Sequence, residues 1–311
     1  MQEHSPFDRR SHFTETMLSR LGPRDTAFFC SIASCGVQDG APFVRLFNDD
    51  LLFGYTDWTT TYYEPHFSEC RTSFESLGLE EKCFGAAFDA LCFYHYENCS
   101  TLEFLKRSKL IHRRKSVLDI GCRCGHFMVK AAPSMQEGLF VGIDPTEFGQ
   151  REFTRHAAAN GLDNVRFFRA LVADRDGVDT VFHQNSEGEL YSGLFRETVA
   201  EGDEVVVDSD SHGQTVTMKA RTVDAIVDEL GLDEVGLVSM QINGGEVLAV
   251  QGMDRLLEAS RPNLFFTAFQ SRRGEAPPKE FLREFLEPRG YVALLDHGVD
   301  IVFSHFSSLP K

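Results

Sequence analysis

No stretch of this 311-residue sequence approaches the roughly 18 consecutive apolar residues that a helix needs to cross a bilayer, so no membrane-spanning helix is expected. An apolar segment is also missing near the start. Met1 to Arg20 is polar and charged, and nothing there reads as a secretory signal. Positive charge is scarce: 31 Lys and Arg stand against 47 Asp and Glu, a formal net charge of −16 spread over both halves. Binding to a phosphate backbone needs clustered positive charge, so no nucleic-acid partner is expected. Cysteine is present without pattern. Eight residues between Cys30 and Cys124 lie at irregular spacings, in a chain long enough to need no staples, which predicts reduced thiols in a cytoplasm and no disulfide framework. Repeats and low-complexity tracts are absent. What remains is 42% hydrophobic, enough to bury a full core in one large domain or two unequal ones.

The two parts of the chain differ in texture. Residues 1–110 are rich in Phe, Tyr and Cys without regular strand–helix alternation, and Phe84 to Tyr94 places apolar residues at helical spacing. Ser100 to Glu103 fits a capping box that would open a helix running to about Ile111. This region is expected to be a mostly helical cap or substrate domain. Residues 111–311 read differently. Strands are predicted at Ser116–Ile120, Leu139–Asp144, Val165–Val172, Val235–Ile242 and Asn263–Gln270, with closing strands at Tyr291–Leu295 and Ile301–His305. Helices are predicted from about Gly125, over Glu147–Asn160, Thr222–Leu230, Glu246–Ala259 and Pro278–Glu287. Hairpin material fills about 178–220, with Gly202-Asp203 and His212-Gly213 as turn signals. Such alternation specifies an α/β fold whose mainly parallel sheet is covered on both faces.

In such a sheet a ligand sits at the carboxyl ends of the strands, where strand order reverses. The first of these strands ends in Asp119-Ile-Gly-Cys-Arg-Cys-Gly125, where Gly121 permits a tight turn and Gly125 lets the helix start close to the sheet. Asp144 follows the second strand about 20 residues later, the spacing at which a carboxylate accepts ribose hydroxyls. A nicotinamide enzyme uses the same geometry, but it wants G-x-G-x-x-G so that a diphosphate can rest on the helix N-terminus. Here the pattern is Asp119-x-Gly121-x-x-x-Gly125, and a carboxylate before the turn suits a cofactor carrying an ammonium and a sulfonium. That favours S-adenosyl-L-methionine, held by Asp119, Gly121, Cys122, Gly125, Asp144, Pro145, Leu171 and Gln241. Cys122, Cys124 and His126 suggest a metal run, yet ligands so close together need a second cluster to complete a tetrahedron and none follows, so no metal is expected.

The segment from about Ser116 to Gln270 resembles the FkbM family of methyltransferases. The carrying stretches are Val117-Leu-Asp-Ile-Gly-Cys-Arg-Cys-Gly-His-Phe, Asn160-Gly-Leu-Asp-Asn-Val-Arg-Phe, Ala173-Asp-Arg-Asp-Gly and Asn243-Gly-Gly-Glu-Val-Leu-Ala-Val-Gln-Gly-Met-Asp-Arg-Leu-Leu, closed by Arg261-Pro. The resemblance implies a class I Rossmann-like fold with a seven-stranded sheet. It also implies methyl transfer, commonly to oxygen, in the tailoring of natural products or sugars. The resemblance does not extend to residues before about Leu110.

The departures from the family's pattern bear on chemistry. Its late strand reads Lys-Ile-Asp-Val-Glu-Gly; here it is Ser239-Met-Gln-Ile-Asn-Gly244, and Gln270 stands where a Glu is common. An amide is a poor general base, though it hydrogen-bonds in both directions. Either the acceptor is already nucleophilic, as a carboxylate is, or catalysis is lost and the chain is a binding protein. Gln241, Asn243, Gln270 and His126 are the candidate catalytic residues, with His156 a second histidine near the cleft. Arg272 and Arg273 follow Gln270 and suit an anionic acceptor, while Tyr94 and His95 are candidate substrate contacts from the cap. The expected partner is a small molecule or a peptide, with a homodimer allowed; transfer to nitrogen stays open beside transfer to oxygen.

Overall fold

Asp39 and Gly40, with φ of 50° and 77°, turn the chain back on itself, a conformation that glycine and aspartate tolerate and that joins twisted antiparallel strands. The strands they join are β1 (Ile32–Gln38) and β2 (Ala41–Leu46), and β3 (Leu51–Phe53) completes an antiparallel sheet in the order β1-β2-β3. These coordinates are a computed structural model that describes residues 28, 30–54, 75, 78–135, 137–185, 193–194, 213–242, 244–268, 278–298 and 300–308. The chain divides into two units, residues 1–103 and 104–311.

In the first unit the described residues hold a three-stranded sheet that no sequence pattern predicts, beside helical turns over Glu81–Arg107. Its strands carry Gly, Cys, Ser and Pro in place of clean alternation, and only the Asp39-Gly40 turn marks them. The helical part of the expectation holds over Phe84–Tyr94. Helix α1 (Phe84–Asp89) leads through a π-helical stretch (Ala90–Tyr96) into α2 (Glu97–Arg107). Ser100 therefore lies inside a continuing helix and opens none, because the turns before it already supply the backbone acceptors. Phe84, Ala86, Ala87 and Phe88 are buried, and a Cβ on Gly54 would meet the Ala86 Cα at 2.2 Å, so strand end and helix touch backbone to backbone.

The second unit holds β4 (Ser116–Ile120), helix α3 (His126–Ala131), β5 (Phe140–Asp144), helix α4 (Glu147–Ala159) and β6 (Val165–Arg169). Then come β7 (Leu171–Val172), β8 (Asp179–Asn185), β9 (Gly193–Leu194), β10 (Gly213–Arg221) and helix α5 (Val223–Leu230). The chain closes with β11 (Val235–Met240), α6 (Glu246–Gln251), α7 (Asp254–Ala259), β12 (Asn263–Thr267), α8 (Pro278–Leu286), β13 (Tyr291–His297) and β14 (Asp300–His305). Seven strands form one sheet in the order β13-β14-β12-β11-β4-β5-β6, parallel except for β14, which runs antiparallel to both its neighbours. This is the class I methyltransferase arrangement. Every residue of β5, β11 and β12 is buried, as strands covered on both faces require.

The third strand was read as one piece and is two: Ala170 breaks it, and β7 leaves to pair with β10 in a second sheet of order β7-β10-β8-β9. The hairpin expected over 178–220 is the antiparallel pair β8 and β10, with Asp179 opposite Lys219. Gly202, Asp203 and His212 lie outside the described residues, and Gly213 begins β10. The helix expected over Glu246–Ala259 is also two. At Gly252 a Cβ would meet the Ala173 carbonyl oxygen at 2.5 Å, and the Gly252 carbonyl accepts from the Asp224 N–H at 3.0 Å. The new helix then needs acceptors for its first amides, and the Asp224 carboxylate supplies them to Arg255 and Leu256, both at 2.9 Å.

Asn263 is a buried polar side chain at the start of β12. Its Nδ2 donates to the Leu110 carbonyl at 2.7 Å and its Oδ1 accepts from Ser304 Oγ at 2.7 Å. Asn263→Ala orphans both partners and should lower the unfolding free energy by about 2–4 kcal/mol in urea denaturation, against about 1 kcal/mol for Ser304→Ala. Equal small losses would contradict this role.

Candidate cofactor site

The strand order places the crevice. From β4 the chain proceeds outward through β5 and β6, while β11 and β12 lie on the other side, so the order reverses between β4 and β11. There β4 ends at Gly121, whose φ of 82° disfavours any other residue. Its amide donates to the Ile143 carbonyl at 2.8 Å, and the Gln241 amide reaches back to Ile120 O at 2.9 Å. A Cβ on Gly121 would stand 2.1 Å from the Gln241 carbonyl oxygen. The turn and the end of β11 are thus in backbone contact. Gly125, also left-handed at φ 84°, caps α3, and a Cβ there would press on the Phe153 ring at 2.9 Å.

Two carboxylates end the adjacent strands. Asp119 on β4 and Asp144 on β5 are both buried. Asp144 is held from two sides: the Thr146 N–H and hydroxyl donate to Oδ1 at 2.9 and 2.6 Å, and the Arg123 N–H donates to Oδ2 at 3.2 Å. Arg123 presents that amide because it too is left-handed, at φ 49°. Burial raises the Asp144 carboxyl above its ordinary range, and the bonds from Thr146 and Arg123 oppose that rise. Thr146 also caps α4, its Oγ1 accepting from the Gly149 N–H at 3.0 Å. Pro145 is half-buried beside it, and Leu171 on β7 is buried. Cys122 and Cys124 are buried in the turn, and burial pushes the Cys122 thiol well above its usual range, so it is no nucleophile at neutral pH. The turn thus brings Asp119, Gly121, Cys122, Gly125, Asp144, Pro145 and Gln241 to neighbouring strand ends and connections at the carboxyl edge of the sheet.

His126 opens α3 and is buried, with its ring centroid 4.7 Å from that of His156. His156 is fully enclosed in α4, its Nδ1 lying 3.1 Å from the Glu152 carbonyl oxygen, and the Cys124 backbone also bonds the ring. Burial drives its pKa down to about 4. Among the described residues no group of His, Cys, Asp and Glu is placed to hold a metal ion. Tyr94 and His95 belong to the first unit, where the Tyr94 hydroxyl donates to the Asp50 carboxylate and the His95 ring lies 4.8 Å from that of Phe28. Asn243, Gln270, Arg272 and Arg273 lie outside the described residues.

Three contributors escaped the sequence reading. Thr146 carries the signal of a helix cap before Glu147, which was there to be read. The left-handed Arg123 carries none, since nothing in its side chain demands that backbone. Glu246 is the third: fully buried, it accepts at Oε1 from the Ile242 N–H and at Oε2 from the Gly244 N–H, both at 2.8 Å. A Glu directly after Gly244-Gly245 at a helix start was its only mark.

Topology and site together define a class I methyltransferase domain. Residues 126–293, just over half of the chain, match the methyltransferase FkbM domain, and the chain belongs to that family. The family implies S-adenosyl-L-methionine as the cofactor. No curated protein matches the sequence. Among solved structures it is similar to a SAM-dependent methyltransferase from Aquifex aeolicus at 13% identity and a TM-score of 0.37, covering 70% of this chain and 93% of that one. Methyltransferase FkbM from Methylobacillus flagellatus KT is similar at 15% identity and a TM-score of 0.43, covering 80% of this chain and 62% of that one. A putative O-methyltransferase from Klebsiella pneumoniae matches at 11% identity and a TM-score of 0.38, over 65% and 76% of the two chains. No helix among the described residues is long and apolar enough to cross a membrane.

The enclosed His156 makes a pH prediction. In the folded chain its pKa is lowered from 6.5 to about 4, so below pH 6.5 the unfolded chain takes up a proton that the native state refuses. The imidazole therefore costs nothing above pH 6.5, and stability falls as the pH drops towards 4, by on the order of 3 kcal/mol. Urea denaturation across this window should show a shallower decline for His156→Gln than for the wild type. Parallel declines would contradict the enclosure.

Proposed function

We propose that this chain transfers the methyl group of S-adenosyl-L-methionine to an oxygen, a carboxylate or hydroxyl of a small molecule or peptide, in the manner of natural-product tailoring enzymes. The observation that carries the cofactor part is the pair of buried carboxylates, Asp119 and Asp144, near the ends of neighbouring strands around the Gly121 turn. The donor set fits this cofactor. Asp144 has acceptor capacity for ribose hydroxyls beside the three bonds it already takes, and Asp119 sits where a cationic amino-acid end gains from negative charge. A diphosphate in the same place would face two carboxylates and meet repulsion.

The cofactor supplies a methyl group on a sulfonium that is its own leaving group. The protein's task is then to align the acceptor and exclude water, which supplies on the order of several kcal/mol of barrier reduction without covalent help. Gln241 offers an amide where the family places an acid, and His156 is enclosed and neutral. An acceptor that arrives as an anion needs no base, and amides in place of acids reduce repulsion against it. Arg272 and Arg273 would clamp that anion. The same amides favour a second reading, a catalytically silent member that binds a ligand without turning it over. Mass-shift screening of carboxylate, hydroxyl and amine acceptors separates the two and decides between oxygen and nitrogen.

Calorimetry tests the cofactor: S-adenosylmethionine and S-adenosylhomocysteine should bind with micromolar dissociation constants and NAD should not; the reverse order would overturn the proposal. With an acceptor in hand, Arg272→Ala/Arg273→Ala should raise its KM tenfold or more at nearly unchanged kcat. An unchanged KM would dismiss the clamp.

A further inference from the structure

A third carboxylate near the crevice, Glu246, is turned inward. At the end of β11 the acids expected from the family pattern are Gln241 and Asn243, yet Glu246 keeps its acid and points it back at the turn it follows. It is 0% exposed, and its two oxygens take the Ile242 and Gly244 amides separately, each at 2.8 Å. Its own backbone N–H adds a further bond. A fully buried carboxylate that accepts several backbone amides at once is a fixed acceptor, enclosed by the turn it bonds and unsuited to reaching a substrate proton. What it does is close a turn. The Gly245 N–H bonds the Ile242 carbonyl at 3.1 Å, and Gly244 is left-handed at φ 93°.

That turn touches the cofactor crevice directly. Gln241, one residue before the first clamped amide, carries the carbonyl oxygen that a Cβ on Gly121 would meet at 2.1 Å, and the Ile242 Cγ2 lies 2.9 Å from the same point. Any rotation of the Ile242 peptide therefore moves an atom against the Gly121 turn. Resting on the cofactor reading above, we infer that Glu246 is a positioning residue: by gripping the amides of Ile242 and Gly244 it sets the Gln241–Gly244 turn against Gly121 and so shapes the wall of the cofactor crevice. Burial without those amides would leave a carboxylate to be neutralised, which is why acid and turn form one device. Three amides in this arrangement make the kind of cradle that elsewhere holds a free anion, and here the chain fills it from within.

The test needs no acceptor. S-Adenosylhomocysteine is titrated by calorimetry into the wild type, Glu246→Gln and Asp224→Asn, with Tm recorded for each. Asp224→Asn weakens the cap of α7 through the Arg255 and Leu256 amides without touching the turn, and so controls for lost stability. Glu246→Gln turns an NH2 towards an N–H and should weaken the Kd tenfold or more, whereas Asp224→Asn should keep the wild-type Kd despite a lower Tm. If Glu246→Gln does not fold, Glu246→Asp, which withdraws the charge by one methylene, should show the same loss of affinity. A folded Glu246 variant with the wild-type Kd overturns the assignment and leaves the cofactor reading intact. A wild-type chain that binds no S-adenosylhomocysteine overturns both.

Discussion

At Gly121 and Gln241 the ends of two neighbouring parallel strands come into backbone contact. The missing Cβ lets the end of β4 and the end of β11 approach this closely at the place where strand order reverses. The rest of the crevice follows from this approach. Gly125 can start α3 against Phe153, Arg123 is thrown into a left-handed conformation, and its amide meets Asp144. A larger residue at 121 would part the strands and break this chain of contacts at its first link.

A second constraint is electrostatic. The chain carries a net charge of −16, yet two buried carboxylates beside the crevice are matched to backbone amides and a hydroxyl. Asp144 is held by Thr146 and Arg123, and Glu246 by Ile242 and Gly244. Backbone donors cost no side-chain entropy and cannot swing away, so each acid defines a turn or a helix start as firmly as a short loop would. Glu152 differs from these two, buried but bridged to Arg151 and Arg155 at 2.6 and 3.0 Å. Around the crevice this arrangement leaves negative charge facing inward, which suits a cationic nucleoside.

Much of this was legible from residue order alone. Mainly apolar runs such as Phe140–Ile143 and Val235–Val238 announce buried parallel strands because both their faces are covered, and the glycines at 121 and 125 announce the turn that follows β4. Less legible were features set by tertiary contact. The sheet at Ile32–Phe53 has strands too mixed in composition to declare themselves. The break at Gly252 exists because Ala173 lies against it, from far away in sequence. Glu246 looked like an ordinary first-turn acid, since its grip on Ile242 and Gly244 depends on a turn whose shape no local pattern states. The grip of Arg123 on Asp144 is of the same kind.

The central claim is that a sulfonium nucleoside lies over the Gly121 turn with its sugar on Asp144. A crystal structure of the chain with S-adenosylhomocysteine measures this most directly. The account predicts ribose hydroxyls within hydrogen-bond distance of the Asp144 carboxylate, and no ordered side chain between the nucleoside and the Gly121 backbone. A ligand bound elsewhere, or an Asp144 that keeps only its Thr146 and Arg123 partners while the ribose is held by other groups, would contradict it.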